Sequence, residues 1–339
     1  MALVFMDGFD AYNTVIGNNV DVQILRKWHQ CDFANPNPTT QAGRISGFSL
    51  YPGNTNVYTL PFASQSSYIV GTAIFVNAYN IPLLRFMDGT SFQCTLGLDS
   101  LGRLIVFNGS GGALQAQGTT ILATSTWYFI EMIVTFNSAT GAFHLKLNNN
   151  DEIVATNINT VTTANNTGNR FALWAAGPVL WDDFRIFDTT GTFNNDFIGD
   201  MKIETLFASG PGVYTQFAPT PNTNANWQNV SEIAVDDDVT YNSATTAGNQ
   251  DAYTFHPLSV ILSNVHGVGV NIVQRKDNPA SKTATQLTHI GGSDFLGNTT
   301  STLDSYYTNE KLYDVNPATS LPWTVTDLTN AQFGIRVIS

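Results

Sequence analysis

From residue 127 to residue 136 the even positions Tyr128, Ile130, Met132, Val134 and Phe136 are all apolar, while the odd positions include Glu131 and Thr135. A period of two marks a strand with one face buried and the other partly wet. The pattern recurs after the loop Asn137-Ser138-Ala139-Thr140-Gly141, where Phe143, Leu145 and Leu147 alternate with His144 and Lys146. The polar tract Asn148-Asn149-Asn150-Asp151 then turns into a strand at 152–156. Upstream, 83–87 leads through Asp88-Gly89 into 92–98, and Asp99-Ser100-Leu101-Gly102 turns into 103–107. These are two successive hairpins. The run 67–76 is apolar and rich in β-branched residues, as suits a strand covered on both faces. Residues 43–50 begin another strand, 5–9 read as the first strand, and 25–33 carries Trp28, His29 and Cys31. The segment Asn35-Pro36-Asn37-Pro38 is a loop, because proline lacks the donor a ladder needs. A last pair at 170–175 and 180–187 completes the series.

Two short aromatic runs broken by carboxylates stand at its ends: Phe5-Met6-Asp7-Gly8-Phe9-Asp10 and Trp181-Asp182-Asp183-Phe184-Arg185-Ile186-Phe187-Asp188. Their separation fits first and last strands lying side by side, closing a β unit over residues 1–190. Beyond Asp188 the pattern changes. A loop at 189–200 precedes an alternating, strand-like run at 201–207, so 191–210 reads as a linker plus the first strand of a second domain. Residues 211–339 then form a smaller β-sandwich: a Pro-, Asn- and Thr-rich stretch at 218–226 precedes Trp227, and strands come at 251–255, 268–275 and 283–290. The final strand, 331–338, is expected to bury Phe333, Ile335 and Val337 on one face.

Composition supports the all-β class. Of 339 residues 43% are hydrophobic, enough to fill a core in each of two domains, and only 12% are charged. The net charge of −12, with 14 scattered Lys and Arg, excludes a phosphate-neutralising surface, so neither nucleic acid nor an anionic membrane is an expected partner. No apolar run approaches the roughly 20 residues of a membrane span. The opening Met1-Ala2-Leu3-Val4-Phe5-Met6 has no basic flank, and no secretory signal is expected. Cys31 and Cys94 are too few for a disulfide framework or zinc knuckle; buried reduced thiols are the default and a single bridge the alternative.

The order Thr95-Leu96-Gly97-Leu98-Asp99, Gly102-Arg103-Leu104, Asn108-Gly109, Trp127-Tyr128-Phe129-Ile130-Glu131, Ala139-Thr140-Gly141 and Leu147-Asn148 resembles the concanavalin A-like lectin/glucanase jelly roll in its laminin-G-like form. It also resembles the versions in tailed-phage virion proteins, where an N-terminal Asp-Gly-Phe-Asp is matched by a late Asp-Asp-Phe strand. Phe197-Ile198-Gly199-Asp200-Met201-Lys202, with the later Gln216-Phe217 and Gln332-Phe333-Gly334, is similar to the C-terminal half of phage structural proteins. The resemblance implies a concanavalin A-like jelly roll over 1–190 and a non-enzymatic component of a tailed-phage particle. On that reading the chain is a capsid decoration, head fibre, neck or tail appendage, assembled in the host cytoplasm, docking on other virion proteins and forming homo-oligomers. A receptor-binding lectin-like module gripping host surface carbohydrate is the alternative. A glycoside hydrolase is third.

Glucanases of this jelly roll carry paired carboxylates, Glu-x-Asp-x-x-Glu or Glu-x-Asp-x-Glu on one strand, because acid and nucleophile must stand about 5–5.5 Å apart for retention. No such run occurs; Glu131 stands alone, and a solvated place on the outer face is expected for it. His29, His144, His256, His266 and His289 lack metal-ligand spacing, and no Gly-x-Ser-x-Gly elbow is present. If the first and last strands pair, Asp7, Asp10, Asp182 and Asp183 converge, and such oxygen ligands suit Ca²⁺, which several relatives of the resembled fold hold near this seam. The same carboxylates could instead accept hydrogen bonds from backbone or from Arg185 at a sheet edge. Asp236-Asp237-Asp238 lacks a calcium loop's spacing and reads as an exposed turn. Trp28, Trp127, Trp174, Trp181, Trp227 and Trp323 lie mostly within strand patterns, and none stands out as a sugar platform.

Overall fold

The computed structural model describes residues 3–12, 20–31, 38–53, 56–174, 178–259 and 264–339. Asn35, Pro36, Asn37 and Ala175 lie outside the described residues, as does the side chain of Cys31. The chain divides into two compact units, Met1–Ile203 and Glu204–Ser339.

The first unit contains β1 (Leu3–Asp7), β2 (Gln30–Cys31), β3 (Thr39–Ala42), β4 (Phe48–Tyr51), β5 (Val57–Tyr58), β6 (Ser67–Val76), β7 (Ile81–Asp88) and β8 (Ser91–Leu98). It continues with β9 (Leu104–Asn108), β10 (Leu114–Gln117), β11 (Thr126–Thr135), β12 (Gly141–Leu147), β13 (Asn150–Ile158), β14 (Arg170–Leu173) and β15 (Val179–Asp188). One sheet runs β13-β12-β11-β6-β15-β4-β3 with β1 also on β15; the other runs β10-β9-β8-β7-β14-β5-β2. Their inner faces form one core, to which β11 contributes Ile130, Met132 and Val134 and β12 contributes Phe143 and Leu145, the residues the alternation selects. Cys94 lies in this core as a free thiol, and burial pushes its pKa up. The central β6 is buried along almost its whole length between β11 and β15.

The end strands do pair. β1 lies antiparallel on β15, Leu3 opposite Phe187 and Asp7 opposite Phe184. The same edge of β15 meets β4 at Trp181, opposite Leu50. The exchange of partner falls on Asp182 and Asp183, where the register with β6 shifts and Asp183 adopts φ +54°. A bulge of this kind turns side chains that regular pleating would send to alternate faces.

Two local expectations are corrected, and one element was not anticipated. Residues 20–25 form a short helix, α1 (Val20–Leu25), because Val20, Ile24 and Trp28 recur at a helical spacing and all three enter the core. Residues 43–50 are not one strand: Gly43 to Gly47 make the turn between β3 and β4, with Gly47 at φ +70°. The run 201–207 is not a strand at all. At its start the backbone is taken by side chains of the first unit: Ile203 N–H donates to Asp183 Oδ1 at 2.7 Å, and the Met201 carbonyl accepts from Arg44 at 3.0 Å. Residues 189–203 thus form a strap laid back on the eight-stranded sheet.

In the second unit the strands are β16 (Ala208–Thr215), β17 (Ala218–Thr220), β18 (Tyr241–Ser243), β19 (Gln250–Phe255) and β20 (Val268–Gln274). Next come β21 (Thr283–Ile290), β22 (Ser293–Leu296), β23 (Thr300–Ser301), β24 (Tyr307–Tyr313) and β25 (Gln332–Val337). A sheet β16-β19-β25-β21-β22, with β23 on β21, is covered by the ribbon β20-β24. Their shared core holds Val268 and Val270 from the ribbon, Ile290 and Phe333 from the sheet, and Trp323. Of the three residues expected to be buried on the final strand, Phe333 is, while Ile335 and Val337 are half-buried. The core gathers at the start of that strand, around Trp323 and Phe333. Asp237 turns at φ +60° in the triple-Asp turn, and Asp238 pairs with Arg275 at 2.6 Å.

Candidate functional site

The four seam carboxylates split. Asp7 is held by aromatic donors: Tyr12 Oη at 2.7 Å and Trp28 Nε1 at 2.9 Å on one oxygen, the Phe9 N–H at 2.8 Å on the other. Asp10 accepts the Phe48 N–H at 2.9 Å, which the turn at Gly47 permits, since a Cβ there would collide with Asp10 Oδ1. Asp182 accepts the backbone N–H groups of Arg44 at 2.7 Å and Asp183 at 2.8 Å. Asp183 takes the Ile203 N–H on one oxygen and Arg44 Nη2 on the other at 2.9 Å. Burial, reinforced by Asp183, lifts the Asp182 carboxyl to about 8; burial also raises Asp183, against the pull of Ile203 and Arg44. Among the described residues, no group of three or more His, Cys, Asp or Glu side chains is arranged to hold a metal ion. The seam carboxylates organise the chain crossing.

Glu131 lies on the outward face of β11 but is not solvated, its exposure being only 1%. The strap covers it: Glu131 accepts the Ile198 N–H at 3.2 Å, the Gly199 N–H at 2.9 Å and Arg185 Nη2 at 3.1 Å. Arg185, also 1% exposed, donates to the Gly199 carbonyl at 2.7 Å and lies 5.0 Å from the Phe129 ring centroid. It fits because β6 has Gly71 opposite, where a Cβ would stand 2.6 Å from Arg185 Cζ. With both oxygens engaged under the strap, Glu131 is a clasp. The histidines are dispersed: His144 meets Asp151 at 2.7 Å, His289 meets Asp294 at 2.6 Å and His29 meets Arg170 at 2.8 Å.

A different constellation lies on the outer face of the seven-stranded sheet. β14 sends Phe171 and Leu173 into the core, so Arg170, Ala172 and the following Trp174 face outward. By the same alternation β7 turns Arg85 outward between Leu84 and Phe86, and β5 turns Tyr58 outward beside Val57. Register sets these residues side by side: Tyr58 opposite Ala172, Ala172 opposite Arg85, Arg85 opposite Thr95. Ala172 and Thr95 are small, which leaves the Arg85 side chain room to lie across the face. Its guanidinium carbon is 3.3 Å from the Trp174 ring centroid and 4.3 Å from that of Phe92. Arg170 stacks on Tyr58 at 4.7 Å and donates to the Thr59 carbonyl at 3.1 Å. Arg85 is 6% exposed, and burial pulls its pKa down. Its Nε and the neighbouring Trp174 Nε1 are both buried without a hydrogen-bond partner. No carboxylate among the described residues pairs with Arg85. Sequence inspection misses this group because its members come from strands far apart in the chain; the outward phase of Arg85 within an apolar run is the one signal it offers.

No protein-family model matches the sequence, and no curated protein matches it. Solved structures do. Domain 4 of AbnA, a GH43 extracellular arabinanase from Geobacillus stearothermophilus in complex with arabinotriose, is 19% identical with TM-score 0.35, covering 46% of this chain and 78% of that one. The carbohydrate-binding module CBM66 from Bacillus subtilis is 13% identical with TM-score 0.30, covering 45% and 92%. The Caenorhabditis elegans galectin LEC-6 is 9% identical with TM-score 0.29, covering 45% and 98%. These likenesses are slight, with TM-scores from 0.29 to 0.35, and the all-β sandwich of the first unit stands on its own eight- and seven-stranded sheets.

Proposed function

We propose that this chain is a non-catalytic binding protein whose first unit holds carbohydrate on the outer face of the seven-stranded sheet. The observation that carries the reading is the pairing of Arg85 with Trp174, each keeping a buried donor without an acceptor. Sugar rings offer apolar C–H faces to aromatic rings and hydroxyl oxygens to planar donors, and sites of this kind combine aromatic walls with a few placed polar groups. Here Trp174, Phe92 and Tyr58 supply rings, and Arg85, Arg170 and His29 supply polar groups. A hydrolase would need two carboxylates about 5–9.5 Å apart across an open cleft. On this face guanidinium groups and rings occupy the central positions, while Glu131 is sealed beneath the strap. The test is a glycan array probed with the full chain and with Trp174→Ala. Binding by the parent and at least a tenfold loss in a folded variant are expected; silence across the array, or undiminished binding by the variant, refutes the reading.

A second proposal concerns setting. We propose that the chain is a tailed-phage virion component, docked on other virion proteins as a homo-oligomer; the reading rests on the sequence resemblance, with which the pairing of β1, ending at Asp7, and β15 is consistent. Immunogold electron microscopy of purified particles tests it: labelling of head or tail supports it, and absence from the particle overturns it.

A further inference from the structure

In the first unit Arg85, Arg170 and Arg185 are buried and Arg44 is half-buried, and their partners differ. Arg44 reaches Asp183 at 2.9 Å and Asp200 at 2.7 Å, and Arg185 reaches Glu131 at 3.1 Å. Arg170 has the Thr59 carbonyl and His29. Arg85 has two rings and no hydrogen bond to any described group. A guanidinium buried to this degree without an anion is costly, because its Nε has no hydrogen bond and no described counter-charge offsets the desolvation. The cost is relieved when an anion arrives.

We propose that the face bearing Arg85 takes a carboxylated sugar, a glycan ending in a single acidic residue of the uronic or nonulosonic class, with its carboxylate seated on the Arg85 guanidinium. The proposal rests on the carbohydrate reading of this face and adds the charge of the ligand. The stacking is what selects a planar anion. With the Trp174 ring centroid 3.3 Å from its Cζ, the Arg85 guanidinium keeps its donors in the plane of the group, and a carboxylate meets such a fork with two parallel hydrogen bonds. Trp174 Nε1 stands beside it as a further donor. A neutral hydroxyl can accept one of these bonds but cannot balance the charge. The net charge of −12 sets the other limit: the field of the whole protein repels a dense polyanion, so an isolated terminal carboxylate is favoured over a polyuronate chain.

The experiment is an NMR titration of the full chain following the Trp174 indole N–H, assigned through Trp174→Phe. The probes are N-acetylneuraminic acid and D-glucuronic acid, each with its methyl ester, and neutral methyl glycosides as reference. At least one acid is expected to bind ten times or more tightly than its ester, which keeps the sugar ring and its hydroxyls but not the charge. Arg85→Gln should erase that preference, and Arg85→Lys should restore part of it. If acid and ester bind equally, the carboxylate assignment is overturned while the carbohydrate reading stands. If the acid is preferred but Arg85→Gln retains the preference, the assignment to Arg85 falls. If no acid, ester or neutral sugar moves the indole signal, both readings fall. The acid and ester comparison uses the unaltered protein, so it remains decisive should Arg85→Gln fail to fold.

Discussion

Glu131 is the acceptor for three donors at once: the Arg185 guanidinium and the N–H groups of Ile198 and Gly199. Glu131→Ala leaves Arg185 with the Gly199 carbonyl and the Phe129 ring but without its carboxylate, in a position only 1% exposed. Removing one partner of a buried pair costs about 3–5 kcal/mol, because the other charge stays buried without compensation. For a unit of this size that lowers Tm by roughly 6–20 °C. The paired replacement Glu131→Leu with Arg185→Met removes both charges and should recover most of the loss, since apolar substitutes for a buried pair are often neutral or better. The two backbone N–H groups of the strap would still lack Glu131, so recovery should be incomplete. Calorimetry of the full chain reads the stability of each unit, and only the first unit's transition should move. Hydrogen exchange mass spectrometry reads the strap: 189–200 should lose protection in the single variant while 201–203, tied to Arg44 and Asp183, keep theirs. A cost below about 1 kcal/mol for Glu131→Ala, or a double variant no more stable than the single one, would refute the account of the clasp.

Three more outcomes are expected of the neighbouring seam. Asp182, raised to about 8, keeps a proton in the folded state that the unfolded chain gives up near pH 4, so folding takes up a proton between those values. The stability of the first unit relative to that of Asp182→Asn should therefore fall as pH rises from about 4 to about 8 and level off above; a pH-independent difference in Tm would contradict it. Gly71→Ala places a methyl group 2.6 Å from Arg185 Cζ and should destabilise by about 1–3 kcal/mol in urea titration. The same change made with Arg185→Met should cost far less, and an equal cost in both backgrounds would show that Arg185 is not the obstacle. Because Asp7, Asp182 and Asp183 already spend their oxygens on N–H and O–H donors, millimolar Ca²⁺ should leave Tm where EDTA leaves it; a rise with Ca²⁺ would mean that the seam exchanges backbone donors for a cation.

The sandwich was legible where periodicity is local. Tyr128 to Phe136 and Phe143 to Leu147 carry their facing in their own spacing, and the two hairpins from Ile81 to Asn108 announce their turns through Asp88-Gly89 and Gly102. Pairing of the end strands was also readable, because both ends repeat aromatic residues with carboxylates. What alternation does not encode is the third layer. Glu131 looks like a solvated outer-face residue until Ile198 and Gly199 return to it from some seventy positions later. The run 201–207 alternates like a strand, yet Met201 and Ile203 make their hydrogen bonds with Arg44 and Asp183. Arg85 and Trp174 were obscured for the same reason: neither residue type nor spacing records that β7 and β14 are neighbours. Composition, by contrast, weighs on function only through net charge, which at −12 disfavours a polyanionic partner.

The strap also decides how the first unit bears load. The covalent path out of the jelly roll is not released at the end of β15 but is anchored again at Ile203, through Asp183, and at Asp200 and Met201, through Arg44. A pull applied beyond Glu204 therefore meets the anchors at Ile203, Met201 and Asp200 in turn before any of it reaches β15. The last strand is thus shielded from tension on the chain that follows it: the strap is a strain relief, as on a cable where it enters its housing.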